Sequence, residues 1–255
     1  MNEKINNLVV LINAFQNITQ EYAISTFPAN NNTLTQFTKI RREHDKLNSD
    51  QSVDFNIFKY FRPDETMHSK LLAMLFNPNG EHGQDYLFIH SFLEKIGIRF
   101  DRNKDKWYIT AEIGRIDILI RSSVGHVIII ENKSNWANDQ DNQLYRYWYR
   151  AMYLPNKLKF SDPLHTLKNP EMFQIIYLVP NDEKIPEDIS LKICKNIDRE
   201  KDTKLPMKLE MSQIKQLTFE KDIVEWLEFL LPNFKSNHRL REYLLQYIET
   251  WKINY

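Results

Sequence analysis

Three consecutive isoleucines, Ile128-Ile129-Ile130, run directly into Glu131-Asn132-Lys133. β-Branched residues favour a strand, and a stretch this apolar cannot sit at a wet sheet edge. It needs a neighbour on each side and cover on both faces, so the polar triplet emerges abruptly from a buried element. The surrounding segments fit the same sheet. Trp107-Tyr108-Ile109-Thr110 and Ile116 to Ile120 are rich in β-branched or aromatic residues. The turn signal Ser122-Ser123-Val124-Gly125 makes Ile116–Ile120 and Val127–Glu131 a hairpin. The apolar run Phe173–Val179, closed by Pro180, reads as a buried central strand, and a short strand is expected near 214–218.

Helical periodicity brackets these strands. Residues 2–24 form an expected amphipathic helix carrying Leu8, Leu11, Ile12, Phe15 and Ile18, and the polar stretch 25–52 is either a loop or a weaker helix. A helix is expected from Pro63-Asp64, capped by Asp64, with Met67, Leu71, Leu72 and Leu75 inward and a stop at Asn77-Pro78-Asn79-Gly80. Others are expected near 84–96, over Asn138–Tyr153, and near 219–230 and 236–252, with 181–204 as a charged surface excursion. The fold class is α/β: a mixed central sheet flanked by helices on both faces, with extra N- and C-terminal helices. One domain is expected over 61–255, with 1–60 a helical region packed on it.

Composition narrows the partners. The 34 basic and 34 acidic side chains cancel, which argues against a broad electrostatic grip on nucleic acid and leaves room for a local basic groove. A single cysteine, Cys194, gives no internal disulfide and no support for a thiolate zinc site. No apolar run has the length of a membrane span, and the first segment lacks a small-residue cleavage site. The expectation is a soluble, cytoplasmic protein with no membrane partner.

The chemistry is concentrated in Gly114-Arg115-Ile116-Asp117 and Glu131-Asn132-Lys133. In an antiparallel hairpin the start of one strand lies beside the end of the next, so Asp117 and Glu131 meet at one end of the sheet. Lys133, two positions on, shares the face of Glu131. Paired carboxylates suit a hard cation such as Mg²⁺, with the backbone carbonyl of Asn132 as a further oxygen ligand. Without an ion the two carboxylates repel, and one tends to protonate. Lys133 suits positioning of a water or stabilisation of developing negative charge. Solvated strand ends with an ion pair would read the same way. Asp139, Gln143, Tyr147 and Arg150 follow at spacings of four, four and three, giving a polar stripe that fits either a phosphate backbone or plain solvent. Arg115 lies two residues before Asp117 and is expected on the same strand face, against phosphate or a carboxylate. Lys70, Arg146 and Arg150 are either groove-lining or surface charges. Trp136 either stacks on a base or packs beneath its loop.

These residues resemble the PD-(D/E)XK nuclease superfamily. Asp117…Glu131-Asn132-Lys133 matches its core with Ile116 at the usual Pro position, and Gln143-Leu144-Tyr145-Arg146-Tyr147 matches the Q-x-x-x-Y motif of RecB-type members. The likeness is to a bacterial branch with G-R-I-D and E-N-K motifs and a D-Q-x-x-Q-L stretch, here Asp139 to Leu144. Glu65-Thr66-Met67-His68-Ser69, Pro78 and His82-Gly83 match further motifs of that branch. The resemblance implies Asp117 and Glu131 as metal ligands, Lys133 as the catalytic lysine, and Glu65 as the helical acid completing the site. Glu65 also suits the helix dipole. Gln143 and Tyr147 would bind substrate backbone or steady the site. His68, three residues after Glu65, either faces the same site or is a core or surface histidine.

The implied activity is a Mg²⁺-dependent nuclease, with Mn²⁺ able to substitute. DNA is favoured over RNA, and phage defence or mobile-element biology is the implied setting. The alternatives are a catalytically inactive nuclease-fold binding module and a regulatory or scaffold subunit. A homodimer and a larger complex both stay open.

Overall fold

The computed structural model describes residues 31–160, 162, 164–195, 197 and 205–253. It falls into two compact units, Met1–Asn56 and Ile57–Tyr255. The expected helix over 2–24 lies outside the described residues. In the first unit, the stretch left open between loop and helix is helix α1, Asn31–Gln51. It ends in a turn where Asn48 Oδ1 accepts from the Asp54 amide and His44 Nε2 lies 3.2 Å from Asp54 Oδ1.

The second unit opens with a short helix α2, Ile57–Phe61, then α3, Glu65–Phe76. Asp64 caps α3, its carboxylate accepting from the Met67 amide at 2.7 Å, and Asn77 ends it. Leu72 and Leu75 are buried, but Met67 is 46% exposed, contrary to expectation. The loop after α3 folds back through His82, whose Nε2 lies 2.9 Å from the Asn77 carbonyl. A Cβ on Gly80 would come within 2.6 Å of the Met74 carbonyl oxygen, so this close return requires glycine. Helix α4, Leu87–Ile96, stops at Gly97, which adopts the left-handed backbone that ends many helices.

Five strands follow: β1 Trp107–Ile113, β2 Ile116–Ser122, β3 Val127–Asn132, β4 Phe173–Val179 and β5 Ile214–Thr218. They lie in sequence order, β1-β2-β3 antiparallel and β3-β4-β5 parallel. Every residue of β3 and β4 is buried. Each has two strand neighbours, which is why their sequences are nearly unbroken apolar runs. Alternate side chains divide the core. Ile118, Ile120, Ile128, Ile130, Ile176 and Leu178 pack with α3, α4 and the C-terminal helices α6 (Val224–Leu230) and α7 (His238–Ile253). Leu119, Ile129, Ile175, Tyr177 and Val179 pack on the opposite face, under the β3–β4 crossover. The result is the expected mixed sheet between two helical layers.

The crossover departs from the single helix expected over Asn138–Tyr153. Asn142 has φ 57°, and regular helix starts only at α5, Gln143–Tyr147, continuing as a π-helix over Trp148–Tyr153. The described part of the expected 181–204 excursion is not all surface, since Ser190 and Leu191 are buried and the Asn142 amide donates to the Ile189 carbonyl. Among the described residues no helix is long and apolar enough to cross a membrane.

Candidate active site

The site forms where β2 and β3 part. Their ladder runs through Ile118↔Ile130, and the same register sets Asp117 opposite Glu131. There the Asp117 carboxylate replaces the next ladder bond, Oδ2 accepting from the Asn132 amide at 2.7 Å. Glu131 and Lys133 share the crossover face, and Lys133 Nζ lies 2.9 Å from Glu131 Oε1, both side chains almost wholly buried. Gln143 reaches in from α5. Its Nε2 donates to Glu131 Oε1 at 2.7 Å and to the Tyr147 hydroxyl at 3.1 Å, while its Oε1 accepts from Lys133 Nζ at 3.2 Å. One amide thus holds the acid and the base at fixed separation.

Burial dominates the electrostatics. It raises the Asp117 pKa to about 7, against the opposing Asn132 hydrogen bond and with the charge of Glu112 adding to it. It also pushes Glu131 well above the ordinary carboxylate range, with the charge of Asp117 as the next cause and Lys133 opposing. Burial alone would lower the Lys133 pKa, but the Glu131 carboxylate outweighs it and the net shift is upward. Desolvation raises the Tyr147 phenol to about 12, so it stays neutral.

Glu131 Oε2 is buried without a hydrogen-bond partner among the described residues. A buried carboxylate oxygen without a donor is costly. Beside a second desolvated carboxylate, it matches the preference of a hard divalent ion for oxygen ligands. The fit rests on two carboxylates and backbone oxygen, since no group of three or more His, Cys, Asp or Glu among the described residues is arranged to hold a metal ion.

The other predicted residues divide. Glu65, in the first turn of α3, comes to the rim of the site, where its charge acts on Asp117 and Lys133. Its Oε1 accepts from the amides of Asn135 and Ala137 at 3.3 and 3.4 Å. The Asn132 side chain faces α3, where its Nδ2 donates to the Glu65 carbonyl and to Ser69 Oγ. His68 does not join the site. It is buried against Phe219, Tyr247 and Trp251, with Nδ1 2.9 Å from the Tyr247 hydroxyl, and desolvation lowers its pKa to about 4. Arg115 is not on a strand face. Gly114 and Arg115 both have positive φ, 67° and 68°, and form the two-residue turn between β1 and β2, leaving Arg115 exposed. The expected solvent-facing stripe is also overturned, because Gln143 and Tyr147 are buried and Asp139 lies before the helix.

Two contributors, Tyr177 and Glu112, were missed, and Asp139 is tied into the site instead of lying on a helical stripe. Asp139 Oδ1 accepts from the Tyr177 hydroxyl at 2.8 Å and lies 3.7 Å from Lys133 Nζ, while its Oδ2 accepts from the Glu187 amide. Tyr177, on β4, shares the face of Glu131, and only the parallel register reveals it. Glu112, with φ 58°, stands opposite Asp117 in the β1–β2 register. No local pattern marks it.

Two carboxylates and a lysine thus converge where β2 and β3 part, at the end of a mixed sheet between helical layers. A family model described as the PD-(D/E)XK nuclease superfamily matches residues 55–249, and the chain belongs to that superfamily. Its members are in general nucleases that usually employ divalent metal ions, so the implied substrate is a nucleic acid. No curated protein and no solved structure matches this chain.

Proposed function

We propose that the chain is a divalent-metal-dependent nuclease that hydrolyses phosphodiester bonds in DNA, with Mg²⁺ as the working ion and Mn²⁺ able to replace it. The observation that carries this reading is the unpartnered Glu131 Oε2, buried beside Asp117 and Lys133. In this reading Asp117, Glu131 and the Asn132 carbonyl are the ligands, with Glu65 at the rim as a further acid. The bound ion supplies Lewis acidity, acidifying water and offsetting charge on the scissile phosphate. Lys133 donates to the attacking water or to a phosphate oxygen, and Gln143, braced by Tyr147, keeps its ammonium aligned with Glu131. The preference for DNA and a setting in phage defence or mobile-element biology follow from the family resemblance.

The test is an incubation with supercoiled plasmid, linear duplex, single-stranded DNA and RNA, each with Mg²⁺, Mn²⁺ or EDTA. Cutting of DNA that needs the ion and is lost in both Asp117→Ala and Lys133→Ala supports the proposal. Tight binding without cutting, unchanged in Lys133→Ala, would instead identify a binding module.

A further inference from the structure

The chain has five tryptophans. Trp107, Trp148, Trp226 and Trp251 are buried and packed against other rings. Trp136 is different. It is 39% exposed and has no aromatic partner among the described residues. It stands three residues after Lys133, as the last residue of a turn closed by its own amide on the Lys133 carbonyl at 3.0 Å. Its φ is 61°, a left-handed backbone that a bulky L-residue adopts only at a cost. The surroundings impose it. The Glu65 carboxylate accepts from the amides on both sides of Trp136, and the reciprocal Asp139–Glu187 bonds pin the following chain. The acid at the rim of the site therefore fixes the backbone on both sides of the half-exposed Trp136.

We infer that Trp136 is a substrate-stacking residue that receives an unpaired base next to the scissile phosphate, so that the enzyme prefers single-stranded or end-frayed nucleic acid. An indole face binds a base by its π-surface. Within a duplex that surface is covered by neighbouring base pairs, so stacking on a protein ring needs a nucleotide that is already unpaired or is turned out of the helix. The inference rests on the nuclease reading only in taking nucleic acid as the substrate.

The experiment measures equilibrium binding by fluorescence anisotropy in EDTA, with a labelled single-stranded DNA oligonucleotide and the blunt duplex of the same sequence. Trp136→Gly suits the left-handed backbone, so the loop should keep its shape and the melting temperature should not fall. Wild type should bind the single strand more tightly than the duplex. Trp136→Gly should weaken single-strand binding roughly 5- to 150-fold, the range of one base–aromatic stack, and change duplex binding less than about twofold. Trp136→Phe should recover most of the loss. A wild type without single-strand preference, an unchanged Trp136→Gly, or an equal loss on both ligands overturns the inference. Failure of the nuclease reading would show separately, as the absence of ion-dependent cutting in wild type.

Discussion

Asp117→Asn should stabilise the protein while disabling it. Burial lifts the Asp117 carboxyl from 3.8 to about 7. An acid with a raised folded-state pKa holds its proton more tightly in the native state. Its contribution to stability is complete below about pH 4 and is lost as the pH rises through about 7. At about 1.4 kcal/mol per pKa unit, ionised Asp117 costs about 2–4 kcal/mol near pH 8. Asparagine removes the charge and keeps an oxygen that can accept from the Asn132 amide. Thermal unfolding in EDTA near pH 8 should show the variant melting roughly 5–12 °C above wild type, a gap that closes toward pH 4. Added Mg²⁺ should raise the melting temperature of wild type alone, because only a state that binds the ion gains from mass action. Parallel pH profiles for the two proteins would refute the reasoning.

Asn132→Ala removes a buried amide that ties β3 to α3 through the Glu65 carbonyl and Ser69. Chemical denaturation should show a loss of about 2–4 kcal/mol. His68 makes the opposite pH contribution to Asp117. Its folded pKa, about 4, lies below the ordinary 6.5, so its stabilisation is present above pH 6.5 and is lost as the pH falls through about 4. Between about pH 7.5 and 5, wild type should lose about 2 kcal/mol more than His68→Phe in denaturant titrations, since the phenylalanine cannot charge. Gln143→Ala frees Glu131 and Lys133 from their common tether. Steady-state kinetics should show kcat falling roughly 10- to 100-fold with KM little changed, the mark of lost alignment.

The strands were readable because each segment's burial follows from its own apolar pattern. Ile128–Ile130 could only be interior, and the hairpin register then brought Asp117 to Glu131. Readings that depended on distant cover failed. Glu65 and His68 are three residues apart, yet that offset turns His68 away, and it is Ser69, four residues on, that joins Glu65 in holding Asn132. The partner of His68 lies 179 residues away on α7, which no spacing rule reaches. Gln143 and Tyr147 read as an exposed stripe, open to phosphate or to solvent, because the segment 187–194 that lies over α5 is remote in sequence and strongly charged. Arg115 carries no turn signal of its own, and only Gly114 before it hinted at the left-handed turn. Tyr177 and Glu112 reach the site through strand register, and Asp139 through its bonds to Tyr177 and Glu187.

The most direct test of the central claim is an equilibrium titration with Mn²⁺, counting bound ion by electron paramagnetic resonance. Wild type should hold Mn²⁺ in a site that Mg²⁺ displaces, and Asp117→Asn and Glu131→Gln should each abolish it. Ion binding that survives both substitutions would contradict the assignment of these carboxylates as the metal ligands.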